Sequence, residues 1–219
     1  MYERDKGVTQ VKGLFITFEG PEGSGKTSVV KAVVNFLEQK KMNIMTTREP
    51  GGIRISEEIR EVILKVENTE MDHITEALLY AAARRQHMVE KILPALNEGK
   101  VVLCDRFVDS SLAYQGHGRG LGIDTIYTIN AYAIENRLPD LTIFIDVPPH
   151  IGLNRVFSNG RKVDRLDLES LSFHQKVYEG YQILIQKYPE RIKVIDGQKP
   201  VDQVIQNALD IIQDFLLKE

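Results

Sequence analysis

GPEGSGKT, residues 20–27, stands between the apolar run LFITF at 14–18 and the amphipathic stretch SVVKAVVNFLEQ at 28–39. It satisfies GxxxxGK[ST] with Gly20, Gly25, Lys26 and Thr27, and a strand before and a helix after it are the setting in which this motif closes around phosphate. Glycines let backbone N–H groups converge on phosphate oxygens, and the helix N-terminus adds partial positive charge. Lys26 reaches the terminal phosphates, and the Thr27 hydroxyl is suited to ligate Mg2+. The run from Gly20 through Pro21, Glu22, Gly23, Ser24, Gly25, Lys26 and Thr27 to Ser28 is therefore expected to hold a nucleoside triphosphate.

Outward from this loop, short apolar runs recur at 14–18, 43–47, 101–104, 141–147 and 192–195. Amphipathic stretches at 26–40, 56–66, 74–97, 124–136, 150–158, 168–188 and 201–217 read as helices. Continuous apolar strands alternating with helices predict a doubly wound α/β fold of P-loop NTPase type, a five-stranded parallel sheet flanked by helices. A single domain over 14–219 is expected, behind a loose extension at 1–13. With 42% hydrophobic and 27% charged residues the composition is that of an ordinary globular chain, and mean hydropathy is slightly negative. The net charge of −3 argues against a sequence-independent grip on nucleic acid, and no stretch approaches the length of a membrane span. The one cysteine, Cys104, reads as a buried structural thiol, which fits a reducing, cytoplasmic setting.

Ligands of such sheets sit at the carboxyl ends of the strands. Beyond the P-loop those ends read REPGG at 48–52, DRFVDSS at 105–111, VPPH at 147–150 and DGQKP at 196–200. The guanine-reading NKxD and the HRD and DFG of protein kinases are absent. What replaces them is arginine: Arg48, Arg60, Arg84, Arg85 and Arg106. Surface solvation suffices for Arg85. Arg48 and Arg106 end strands beside the P-loop, where an unpaired guanidinium is costly unless an anion arrives, so a second, phosphate-bearing substrate is inferred. A phosphate acceptor is a dianionic nucleophile at neutral pH and needs no strong general base.

The blocks FEGPEGSGKT, TREPGG, DRFVDSSLAYQG and RLPDLTIFIDV, in this order, resemble the bacterial thymidylate kinases, which phosphorylate dTMP to dTDP with ATP. The resemblance implies ATP at residues 20–28, with Lys26 catalytic, and Mg2+ at Thr27 and, partly through water, at Asp105. It places Glu22 near the sugar 3′-hydroxyl, Arg48 and Arg106 on the acceptor phosphate, and Arg60 in support. It puts Tyr80 under the thymine where the family has phenylalanine, Arg84 and Gln115 on the base edge, and Ser111 and Tyr114 beside the deoxyribose. A lid at about 158–167 would bring the catalytic arginines Arg161 and Arg165, because this P-loop holds glutamate and no arginine. A homodimer is implied by the resemblance alone.

Other patterns have plainer readings. The five histidines include no pair three or four apart, which disfavours a helical zinc site. QGHGRGLG at 115–122 is expected as a flexible substrate-side loop, and EEIRE at 57–61 as a solvated face with Arg60 able to point inward. Two rival functions remain at this stage. A deoxynucleoside kinase would need a carboxylate base, for which Glu49 or Asp109 is available, and a P-loop regulatory switch would need no acceptor at all.

Overall fold

The computed structural model describes residues 13–158 and 163–218. Five strands, β1 Phe15–Glu19, β2 Ile44–Arg48, β3 Val101–Asp105, β4 Leu141–Asp146 and β5 Ile192–Asp196, form one parallel sheet in the order β2-β3-β1-β4-β5. In register, Thr17 of β1 lies between Cys104 of β3 and Thr142 of β4. β1 is buried at every position, the outcome expected for an apolar strand at the centre of a sheet covered on both faces.

The two-residue period of the strands divides the core. Phe15, Val102, Cys104 and Phe144 face Met88, Ile92, Phe107, Leu112 and Tyr181. Ile16, Phe18, Leu103 and Ile143 face Val29, Val33 and Leu37 of α1, Lys26–Gln39, and Val204, Ala208 and Ile212 of the C-terminal helix. α2 spans Arg54–Leu64. α3, His73–His87, continues through a π-helical turn at Met88–Ile92 into α4, Leu93–Asn97. Pro94, in the first turn of α4, has no N–H to donate back to residue 90, and the widened turn just before it accommodates that gap.

One expectation fails here. Half of the stretch 115–122 is helical: α5, Val108–Ser111, runs on as a π-helical segment, Leu112–Gly118. Val108 and Leu112, one turn apart, bury their side chains in the core, and that spacing outweighs the local density of glycine. The segment packs against α8, Leu171–Lys187, whose Gly180 allows the approach: a Cβ there would lie 3.1 Å from Ala113 Cα. The remaining helices are α6, Ile123–Ala133, α7, Pro149–Ser158, and α9, Val201–Leu216. Ser170 caps α8 by accepting from Phe173 N at 3.2 Å. None of the described helices is long and apolar enough to cross a membrane.

Because β1 is central, the order 2-3-1-4-5 leaves crevices at its carboxyl end towards both β3 and β4. The P-loop, REPGG and DRFVDSS open into the same space.

Candidate active site

That space is a cleft of about 460 Å³. Its floor is the P-loop, from Glu22 to Thr27, leading into α1. Gly23 has a φ of 69° and lies against α7, where a Cβ would run into the carbonyl of Gly152. Only glycine meets both demands, so the loop is pinned to α7 through backbone atoms. Lys26 is buried, and its Nζ donates to Gly20 O at 3.1 Å and Pro21 O at 3.0 Å. Burial and the Arg106 charge push the Lys26 ammonium below its ordinary pKa, against Glu22, Asp105 and Glu19. Two cations thus share one half-dry cleft, an arrangement that relaxes when anions enter.

Arg106 has a φ of 68°, an uncommon conformation for a residue with a side chain. Its N–H donates to Phe18 O at 3.0 Å, tying the turn to β1. The guanidinium meets Glu22 Oε1 at 2.5 Å, Ser110 Oγ at 3.1 Å and Tyr181 OH at 3.2 Å, and stacks over Tyr114. Beneath it lies Glu19, fully buried at the end of β1, which accepts from Phe107 N at 2.8 Å, Ser110 Oγ at 2.6 Å and Tyr181 OH at 2.8 Å. Burial and the Asp109 charge push the Glu19 carboxyl up, against Arg106. The sequence reading passed over Glu19, although a lone carboxylate closing the apolar run LFITFE was a visible signal.

Arg48 departs from the argument made for it. It is exposed, and its Nη2 reaches both oxygens of Glu57, at 2.8 and 2.9 Å, on the cleft rim. Arg60 points inward, donating to Pro50 O at 2.8 Å across the peptide that follows the cis Glu49–Pro50 bond. Arg84 is 2% exposed and donates to Glu49 Oε2 at 2.7 Å, Ser111 Oγ at 3.0 Å, Phe107 O at 3.0 Å and Asn130 Oδ1. Glu49 is also bonded to His87 Nδ1 at 3.0 Å. Burial drives the Glu49 carboxyl up, but Arg84 and His87 outweigh it and leave it below the ordinary glutamate value.

Tyr80, Ser111, Tyr114 and Gln115 line the cleft together with Arg84, which bonds Ser111. Arg165, expected on an open and solvated lid, is instead buried: its Nε donates to Ile63 O at 2.9 Å and its Nη2 to Glu76 Oε2 at 2.5 Å. It lies in a turn over 165–168, so the helical pairing with Arg161 does not hold at that end. The buried carboxylate of Glu76 supplies the attraction that an open loop lacks. Arg161 lies outside the described residues. Arg155 of α7, not singled out from the sequence, lines the cleft and donates to Gly23 O at 3.3 Å. Arg85 pairs with Glu135 at the surface. Cys104 is fully buried, its thiol donating to Arg106 O at 3.0 Å.

The carboxylates available to a hydroxyl-activating rival are engaged. Asp109 is buried, bound to Arg191 at 2.7 and 2.8 Å, and absent from the cleft wall, while Glu49 is held by Arg84 and His87.

Thr27 and Asp105 both line the cleft, and Asp105 Oδ1 is buried without a hydrogen-bond partner among the described residues. An orphaned carboxylate oxygen and a hydroxyl lining one cleft are the oxygen-donor chemistry a hard divalent cation takes. The described residues hold no cluster of three His, Cys, Asp or Glu placed for a metal, here or elsewhere.

A P-loop beside an arginine-lined acceptor end, where the two candidate bases Glu49 and Asp109 are both held in ion pairs, defines a P-loop phosphotransferase acting on a phosphorylated acceptor. The family model described as "Thymidylate kinase" matches residues 18–208. The thymidylate kinase of Clostridium novyi (strain NT) is 57% identical over 90% of this chain and 97% of its own length, and that of Bacillus pumilus (strain SAFR-032) is 56% identical over 95% and 99%. A crystal structure of thymidylate kinase from Ehrlichia chaffeensis superposes with a TM-score of 0.74 at 32% identity, covering 92% of this chain and 99% of that one. The chain belongs to the thymidylate kinase family and is a nucleoside monophosphate kinase.

Proposed function

We propose that the cleft divides into a donor half and an acceptor half for transfer of the γ-phosphoryl group of ATP to dTMP. Residues 20–28 hold ATP, with Lys26 turning from the carbonyls of Gly20 and Pro21 to the β- and γ-phosphates. Arg106 holds the acceptor phosphate, with Arg48 at the rim and Arg60 pointing inward in support, and Glu22 steers both Arg106 and the sugar 3′-hydroxyl. Tyr80 stacks on the thymine, Arg84 and Gln115 meet its edge, and Ser111 and Tyr114 pack against the deoxyribose. The observation that carries this reading is that two cations from different elements, Lys26 of the P-loop and Arg106 after β3, line one cleft, where the phosphates of two substrates would meet between them.

Thr27 and Asp105 would hold Mg2+, which supplies charge neutralisation at the phosphates. The dianionic acceptor attacks unaided, so the protein's work is positioning and electrostatics. Residues 158–167 act as a lid that brings Arg161 to the transferring group, while Arg165 anchors the lid's base to Glu76. A homodimer is supported by apolar side chains exposed on three adjoining helices: Val62 of α2, Ile74 and Leu78 of α3, and Tyr132 of α6, the last 89% exposed. The buried thiol of Cys104 suits a reducing cytoplasm.

The test is ADP formation from ATP and Mg2+ against a panel of nucleoside monophosphates and nucleosides. Stimulation by dTMP is expected; stimulation by thymidine alone, or turnover indifferent to every acceptor, overturns the assignment. Sedimentation of the wild type and of Leu78→Glu tests the dimer, which the substitution should dissociate.

A further inference from the structure

Glu76, in the first turn of α3, is fully buried, and its carboxylate receives four hydrogen bonds. Gln115 Nε2 donates to Oε1 at 3.0 Å, and Arg119 reaches Oε1 with Nε at 3.2 Å and Oε2 with Nη2 at 3.1 Å. Arg165 Nη2 completes the set at 2.5 Å from Oε2. Of these four side chains, only Gln115 lines the cleft.

A glutamine amide has two ends of nearly equal shape, and its partners decide which way it points. The partner here settles the matter. An ionised carboxylate only accepts, and two guanidinium groups keep this one ionised: burial works against the charge, but the bonds and charge of Arg119, with Gln115 and Arg165, leave the carboxyl below its ordinary pKa. The NH2 end of Gln115 must therefore turn to Glu76. Its carbonyl oxygen is the end left for the cleft.

We propose that Glu76 is a positioning residue that sets which pyrimidine the enzyme accepts, by fixing Gln115 as a hydrogen-bond acceptor towards the base. The inference rests on the assignment of Gln115 to the base pocket. Thymine and uracil carry a proton on N3, which an acceptor satisfies. Cytosine carries a lone pair there, which faces the Gln115 carbonyl as a repulsion, and its 4-amino group meets Arg84, itself a donor only. The two pocket groups thus have fixed and opposite sign, one by its own chemistry and one by a carboxylate outside the cleft. A site whose polar groups go unpaired discriminates far more strongly than one that merely differs in size.

The experiment measures kcat/KM for dTMP and for dCMP in the wild type and in Glu76→Gln and Glu76→Asp. A neutral amide at position 76 either donates or accepts, so Gln115 loses its fixed orientation. Glu76→Gln should lower the dTMP-to-dCMP ratio at least tenfold, with KM for ATP within about twofold of wild type. Glu76→Asp, which keeps the charge, should preserve the ratio better than Glu76→Gln. Because the ratio is independent of the folded fraction, a variant that merely destabilises the protein leaves it unmoved. An unchanged ratio, including dCMP turnover still undetectable in Glu76→Gln, overturns the inference. Gln115→Ala separates the two layers. Should it leave KM for dTMP unchanged, the base pocket is wrongly placed; should it raise that KM while Glu76→Gln keeps the ratio, only the role of Glu76 fails.

Discussion

The two halves of the cleft are built on different principles. The donor half is a consecutive run, residues 20–28, whose geometry comes from glycine conformations, a helix N-terminus and the backbone contact between Gly23 and Gly152. The acceptor half draws on β2, α2, α3, the β3–α5 turn and the π-helical segment after α5, and side chains make its surface. Those side chains are held in turn by others: Arg84 by Glu49 and Asn130, Arg106 by Glu22 and the layer over Glu19, Gln115 by Glu76. A backbone-built site separates function from stability. One built from side chains couples them, because removing a binding group leaves buried partners unsatisfied.

The sharpest break of this contrast is expected at Lys26. Lys26→Ala removes the ammonium where the β- and γ-phosphates carry most charge, an effect of about several kcal/mol on the barrier. Turnover should be abolished while the melting temperature stays near wild type, and Lys26→Arg should fail as well, since a planar fork does not replace a point charge. Turnover within an order of magnitude of wild type in Lys26→Ala would remove the donor assignment.

Next in size is the pair Arg161 and Arg165, which the sequence presents as equivalent. Arg161→Ala should lower kcat by about 10³ or more, the range of arginines that meet a transferring phosphoryl group, with dTMP affinity by calorimetry little changed. Arg165→Ala should act mainly on stability and on KM for dTMP, because it strips a buried cation from Glu76. Equal kcat losses in both variants, with equal melting temperatures, would return Arg165 to the reacting centre.

The acceptor wall itself should show the coupling through pH. Removing one partner of a buried pair costs about 3–5 kcal/mol, so Glu49→Gln should lower the melting temperature sharply and raise KM for dTMP without changing that for ATP. Glu49 has its folded pKa below the unfolded glutamate value of about 4.3. Its contribution is therefore complete above that value and is lost as pH falls through the lower, folded one. The gap in melting temperature between wild type and Glu49→Gln should be widest near neutral pH and begin to narrow as pH falls below the unfolded value of about 4.3. A gap constant from pH 7 to pH 3 would mean that Glu49 does not carry this charge.

The same contrast explains what the sequence could tell. The sheet was legible because each strand is a short apolar run, and the P-loop because eight neighbouring residues carry the whole device. Arg48 and Arg106 were legible one at a time, since the first ends a strand and the second follows one, but their setting was not. Arg48 was reasoned to be an unpaired guanidinium, and it is exposed and paired with Glu57, nine residues on. Arg165 was read as solvated, because its partner Glu76 lies 89 positions away. Glu49, Asn130 and Glu76 belong to a layer defined only by contacts across the fold, where periodicity carries no signal. The helix at 108–118 was lost to a different cause, the weight given to glycines over the apolar spacing of Val108 and Leu112.

The smallest effect is expected at Tyr80, and it shows where coupling stops. Tyr80 lines the cleft and is 8% exposed, so its ring presents a face on which a pyrimidine stacks. Its hydroxyl makes no hydrogen bond to any described residue, and burial together with the nearby Glu76 charge raises its pKa well beyond the physiological range, so it stays neutral. Unlike Arg84 or Gln115, it leaves no buried partner behind when removed. Stacking resides in the ring, and about 0.5–1.5 kcal/mol beyond simple area burial is its usual scale. Tyr80→Phe keeps that ring, so KM for dTMP, kcat and melting temperature should all stay within about twofold or a few degrees of wild type, whereas Tyr80→Ala should raise KM for dTMP by the stacking and burial lost together. A large loss in Tyr80→Phe would show that the hydroxyl bonds the nucleotide directly. Tyr80 would then join the acceptor groups of fixed polarity and cease to act by shape alone.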